Sequence, residues 1–186
     1  MNIFNQINFI VMKMIFNKVM AAFIAISACF SVVSCEDENG GEIVDTNALK
    51  DINAVYSISV SEDYLYFYDI TATYGYDEKD TIDKIMLDVW SKEQTYSTDD
   101  METLPVRLFC TIKATPKSPV PAVDESKVYK FEYSNVCEIE GFTNDGRKIM
   151  TKNSPKNEKH SYPGSKMQDV LNKGEIKLVS FEYVRE

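Results

Sequence analysis

Histidine occurs once in the chain, at position 160, and tryptophan once, at position 90. Glycine is scarce as well, with seven in 186 residues. No group of them forms the loop that cradles a phosphate. A zinc centre draws on several histidine or cysteine ligands, and one histidine with two domain cysteines does not supply them. A serine–histidine–acid site would have to be built on His160. That residue lies in KNSPKNEKHSYPG, read as a polar loop in which Lys156 and Lys159 crowd the imidazole with cations. No metal and no cofactor is expected. Apolar runs of the roughly 20 residues that a spanning helix needs are missing too.

Basic residues are the minority. The chain carries 20 lysines and arginines against 29 acids. Its first 35 residues hold two of the lysines, Lys13 and Lys18, and no acid. The remaining 151 residues therefore carry a net charge of −11. Phosphate backbones are bound by neutralising them, so nucleic acid is excluded as an expected partner. The same charge argues against an electrostatic grip on anionic lipid.

The first 35 residues read as an export signal rather than as part of the fold. From Met12 the text is MKMIFNKVMAAFIAISACFSVVSC: a lysine-bearing start, a short apolar run over 19–26, then small residues before Cys35. A cysteine just after Val32, Val33 and Ser34 has the pattern of a lipobox, in which that cysteine becomes the lipidated N-terminus. Cys29 offers a second match, but the acidic text CEDENGGE begins at Cys35, whereas apolar residues follow Cys29. This arrangement resembles the small lipoproteins of the Bacteroidetes. In that group an acidic stretch after the lipidated cysteine accompanies display on the outer face of the outer membrane, and Glu36, Asp37 and Glu38 occupy that place. The resemblance implies attachment to the membrane through the lipid alone. Residues 36–52 then read as an acidic, glycine-bearing tether, and 53–186 as one domain.

Within that domain, alternation with a period of two dominates. Tyr56, Ile58 and Val60 share one side of AVYSISVS. Ile85, Leu87 and Val89 share one side of TIDKIMLDVWS, read as a single strand. Val106, Leu108, Cys110, Ile112 and Ala114 line up in LPVRLFCTIKATPK, and Tyr129, Phe131, Tyr133, Cys137 and Ile139 in KVYKFEYSNVCEIEG. Turn signals separate the runs, the strongest being Asp145-Gly146. One helix is expected in GSKMQDVLNKGE, with Ser165 and Gln168 placed as a capping box and Met167, Val170 and Leu171 as its apolar stripe. EIKLVSFEYVRE closes the chain as a strand. Short strands at regular spacing with one short helix near the C-terminus predict a mainly β fold, an antiparallel two-sheet sandwich. The stretch VSEDYLYFYDITATYGYD, with GSKMQDVL and the FEY of the last strand, resembles a broader set of Bacteroidetes lipoproteins. That resemblance implies an immunoglobulin-like sandwich and brings no catalytic residues with it.

The stretch YLYFYDITATYGY is too long for one strand: thirteen residues would span about 43 Å, against a usual five or six residues. A break near Tyr68-Asp69 is expected, with a strand over 69–76. Leu65 and Phe67 would then plug one end of the core. Tyr64, Tyr66 and Tyr68 would stand near its rim, as edge packing or as a platform for a sugar or a protein. Cys110 and Cys137 point to the same interior, either as free buried thiols or as a disulfide. The acids Asp77, Glu78, Asp80, Asp99, Asp100, Asp124 and Glu125 fall in predicted turns. There a paired-carboxylate hydrolase or a calcium site is a weaker reading than solvated charge. The sequence thus predicts a lipid-anchored binding or assembly module, without enzymatic activity. Its partner would be an envelope or host protein, or alternatively a glycan.

Overall fold

The computed structural model describes residues 48–185. They form nine strands: β1 Leu49–Val60, β2 Tyr68–Tyr76, β3 Lys79–Ile85, β4 Val89–Ser97, β5 Arg107–Pro116, β6 Val128–Thr143, β7 Lys148–Asn153, β8 Lys156–Pro163 and β9 Ile176–Val184. Two short helices interrupt them, α1 Glu62–Phe67 and α2 Met167–Leu171, the second entered through a 3-10 turn over Gly164–Lys166. The expected signal and lipidated cysteine, the acidic triplet 36–38 and most of the tether lie outside the described residues. The end of that tether does not behave as one. Residues 49–52 belong to β1, and Ile52 is fully buried.

The strands make two antiparallel sheets, as the alternation predicted. One has the order β4-β1-β6-β7, with β8 also on β6; the other has the order β3-β2-β5-β9. β7 and β8 are collinear. Asn153 pairs with Glu138 and Lys156 with Asn135, and one register runs through both. Only Ser154 and Pro155 fall between them. The Ser154 N–H still donates to the Cys137 carbonyl at 3.0 Å, while Pro155 has no N–H to give. The segment predicted as a polar loop is therefore an edge strand. Its alternation is hard to see because both faces of β8 are largely in solvent.

The sheets stack with β4 over β3, β1 over β2 and β6 over β5. Ring contacts mark the alignment: Tyr56 of β1 lies 6.2 Å from Tyr74 of β2, and Trp90 of β4 lies 5.6 Å from the same ring. The Asp83 carboxylate of β3 latches this edge, accepting from the Tyr74 hydroxyl at 3.0 Å and from the Trp90 indole N–H at 3.3 Å. The predicted inward residues of β1, β5 and β6 are buried, save Val106, which precedes β5 and is exposed.

One predicted strand is in fact two. TIDKIMLDVWS breaks at 86–88, where the chain crosses from the edge of one sheet to the edge of the other. The Asp88 carbonyl anchors the crossover by accepting from the Val60 N–H at 2.8 Å. Ile85 is buried as predicted, but Leu87 and Val89 are exposed, because the crossing ends the alternation they seemed to continue.

The largest departure is α1. Its N-cap residue, Ser61, has extended backbone, and Glu62 and Asp63 occupy the first turn, where acids suit the positive end of a helix. Tyr64, Phe67 and Tyr68 stand at i, i+3 and i+4, and all three are buried. The Tyr64 ring meets Phe131 edge-on at 5.1 Å, and Phe67 meets Tyr129 at 4.9 Å. Ser61 does not cap the helix with its side chain. Instead it extends the ladder of β1 against β6: its N–H donates to the Glu132 carbonyl, and its hydroxyl donates to the Lys130 carbonyl at 2.7 Å. The same hydroxyl accepts from the Glu132 N–H at 3.1 Å, and the Asp63 carboxylate accepts from the Lys130 N–H.

The C-terminal helix is present where predicted, with Met167, Val170 and Leu171 buried. The capping box is not formed. No side chain caps either the 3-10 turn or α2, and Gln168 bonds Asn172 instead. The Asp145-Gly146 turn joins β6 to β7, with Gly146 at a φ of 76°.

Replacing Ser61 by alanine leaves the Lys130 carbonyl and the Glu132 N–H without their side-chain partner. A loss of about 1–2 kcal/mol is expected, measured as a lower midpoint in urea unfolding. An unchanged midpoint would mean that the ladder extension is dispensable.

Candidate binding surface

The tyrosines expected to make a platform are placed separately by α1. Tyr64 and Tyr68 are buried, their ring centroids 5.8 Å apart and tilted. Tyr66 alone faces solvent, with 47% of its surface exposed. Its ring leans edge-on against Phe67 at 4.8 Å, and its hydroxyl donates to the Ala122 carbonyl at 3.2 Å. Three rings in a row would require the strand that helix periodicity displaces. Phe67 does plug the core as expected, and Leu65 is partly buried against it.

The strand directions define two ends of the domain. β1 begins at Leu49 and runs to Val60, about 40 Å along. The far end, away from Leu49, carries α1, the 86–88 crossover, the loop 117–127 and α2. Most of the exposed large apolar side chains gather there. Met86 is 80% exposed, Leu87 69% and Val89 53%, and Tyr66, Val120 and Val128 join them. Met86 and Leu87 lie on the crossover and Val89 opens β4 directly after it, so three exposed apolar side chains fall within four residues. The sequence carried this signal in IMLDV, but the apparent alternation assigned it to a core strand.

A second grouping lies on the inner side of β8. Lys156 forms an ion pair with Glu158 and lies 5.6 Å over the Tyr133 ring. The lysine holds the Glu158 carboxyl below its usual range, and the carboxylate in turn holds Lys156 above its own. His160 sits 3.6 Å from Glu158 and stacks on Tyr162 with ring centroids 6.3 Å apart. At 3.6 Å the contact is longer than a directional hydrogen bond; it is made to Glu158 Oε2, while Lys156 takes Oε1. The imidazole is thus placed by a strand rather than a mobile loop. At the Lys156 end of β8, a small cleft is lined by Asn135, Ser154 and Lys156 on one side and the 177–181 stretch of β9 on the other.

The turn acids serve turns. Asp77 has a φ of 50°, and its carboxylate accepts from the Val106 and Arg107 N–H groups at 3.0 and 2.9 Å. Asp99 pairs with Lys50 at 2.8 Å. Asp124 accepts from the Ser126 hydroxyl at 2.6 Å, which holds its carboxyl below the usual range. Asp124 and Glu125 lie at the far end, and Asp77, Glu78, Asp80, Asp99 and Asp100 at the end where the chain enters. Among the described residues, no three histidine, cysteine, aspartate or glutamate side chains are grouped to hold a metal ion. Among the same residues, no helix is long and apolar enough to cross a membrane. Cys110 and Cys137 are both buried free thiols.

No family model matches the sequence, no curated protein matches it, and no solved structure matches its fold.

Burial is the leading cause that raises the hydroxyls of Tyr56, Tyr64, Tyr68, Tyr74, Tyr96 and Tyr133 above the ordinary tyrosine value. Their folded forms favour the proton. The stability they contribute is complete below the unfolded value of about 10 and is lost as pH rises above it. Absorbance at 295 nm during an alkaline titration should show these six ionising late, together with unfolding. Reversible ionisation of all six near pH 10 in the folded domain would contradict their burial.

Proposed function

We propose that this chain is a lipid-anchored, surface-displayed β-sandwich that acts by binding, with its far end as the contact surface. The observation that carries the reading is the gathering of Met86, Leu87, Val89, Tyr66, Val120 and Val128 at the end opposite Leu49. Exposed apolar side chains in one region mark a protein contact more often than scattered ones do. A lipid on Cys35 would tie the chain to the outer membrane through the segment that leads into Leu49. Glu36, Asp37 and Glu38 support display on the outer face. The net charge of the exported part favours neither nucleic acid nor the membrane surface as that partner. An envelope or host protein fits an apolar tip better than a glycan does, because Tyr66 is the one exposed tyrosine among the described residues on which sugar capture would rest.

The test places a photo-crosslinking amino acid at Leu87 in one strain and at Val106 in another, with irradiation of intact cells. A discrete adduct from position 87 and none from position 106 is the expected outcome. Adducts of equal yield at both, or none at 87, would remove the far end as the contact surface. Affinity electrophoresis in gels containing polysaccharides decides the partner class. Retardation that Tyr66→Ala abolishes would overturn the protein reading in favour of a glycan.

A further inference from the structure

Cys110 and Cys137 sit on different sheets, on strands that face each other across the core. The cross-strand neighbours of Cys110 are Tyr74 on β2 and Phe181 on β9. The cross-strand neighbour of Cys137 is Tyr56 on β1. Tyr56 lies 6.2 Å from each of the two rings that flank Cys110. The two cysteines therefore occupy the same level of the sandwich, on β5 and β6, with one thiol facing the other. The Tyr56 hydroxyl at this level is buried and has no hydrogen-bond partner, and the one other polar group on a sulfur is the Asn135 amide, which donates to Cys137 Sγ at a long 4.0 Å.

We propose that Cys110 and Cys137 are a disulfide site that joins the two sheets, and that it is set during folding and sealed afterwards. Both thiols are essentially inaccessible, at 0% and 1% exposure. Thiol–disulfide exchange needs in-line access of a thiolate to a sulfur, and a folded core gives no glutathione-sized molecule that access. The hydrogen bond between the two thiols raises Cys110, with burial adding to it, and lowers Cys137, so the seal rests on the inaccessibility of both sulfurs. Exchange must precede closure of the core. Either thiolate attacks glutathione disulfide, releasing one glutathione thiolate and leaving a mixed disulfide. The second cysteine thiolate then attacks the protein sulfur of that bond and releases the second glutathione. The cysteines lose two electrons and two protons, and one glutathione disulfide becomes two thiols.

The experiment uses the full chain in detergent with Cys29→Ser and Cys35→Ser, so that only the two core thiols remain. One sample is refolded with mixed oxidised and reduced glutathione, and another with reductant. The second is then held folded in the same glutathione mixture. Each is denatured in excess N-ethylmaleimide and weighed. The first should take up no maleimide and weigh about 2 Da less than the reduced chain, the two hydrogens lost as the bond forms. The second should take up two maleimides. Its thermal midpoint should lie about 5–15 °C below that of the first, as expected for a crosslink closing a loop of this length. Two maleimides on the first sample, or glutathione adducts in place of the bond, would overturn the site. Rapid oxidation of the folded second sample would overturn the sealing.

Discussion

The passage of the chain from one sheet to the other at residues 61–68 governs the rest of the domain. β1 stops pairing with β6 at Val60, and the ladder needs two more partners before β6 ends. Ser61 and Asp63 supply them with side chains, which frees the backbone to turn into α1. One helical turn and a half then swings the chain across the core and delivers Tyr68 as the first residue of the opposite sheet. Tyr64, Phe67 and Tyr68 enter the core together, where they meet Phe131, Tyr129 and Tyr133. An edge-on aromatic pair contributes about 0.5–1.5 kcal/mol beyond its buried area, and this end of the core holds several. Were the segment extended, those rings would alternate between core and solvent, and β6 would keep open backbone groups along its first turns.

This geometry explains where the sequence could be read and where it misled. Period-two alternation located the inward residues of β1, β5 and β6, because each faces the other sheet along its length. It failed wherever a strand did something other than lie over its partner. In SEDYLYF the rings sit at both even positions and i, i+3, i+4 positions, so the two periods overlap, and aromatic content suggested a strand. The deciding marks were Ser61 with Glu62 and Asp63 behind it, a helix start that the aromatic run obscured. In IMLDV the alternation continued through a crossover by coincidence of residue type. In KNEKHSYP it was absent, because an edge strand open on both faces has no apolar side to reveal. The helix near the C-terminus was legible from its stripe, although not from its cap.

The candidate surface follows from the same two errors. Once α1 buries Tyr64 and Tyr68, a row of three rings does not exist. Once the crossover is recognised, Leu87 and Val89 leave the core and join Met86 as the most exposed apolar group of the far end. The acids that had suggested a carboxylate pair divide between the two ends and bond to turn backbone, ion-pair partners or solvent. What remains chemically distinctive is the row of Lys156, Glu158 and His160 on β8, in which Lys156 and Glu158 pair with each other.

A thermodynamic double-mutant cycle between Tyr64 and Phe131, each changed to alanine singly and together, tests the central claim most directly. If α1 seats Tyr64 on β6, Tyr64→Ala alone costs about 3–5 kcal/mol in urea unfolding. The pair then shows a coupling of at least about 0.5 kcal/mol. A Tyr64→Ala change within about 0.5 kcal/mol of wild type, strictly additive with Phe131→Ala, would return the ring to an exposed rim. That result would contradict the helical passage on which this account of the fold and its far end rests.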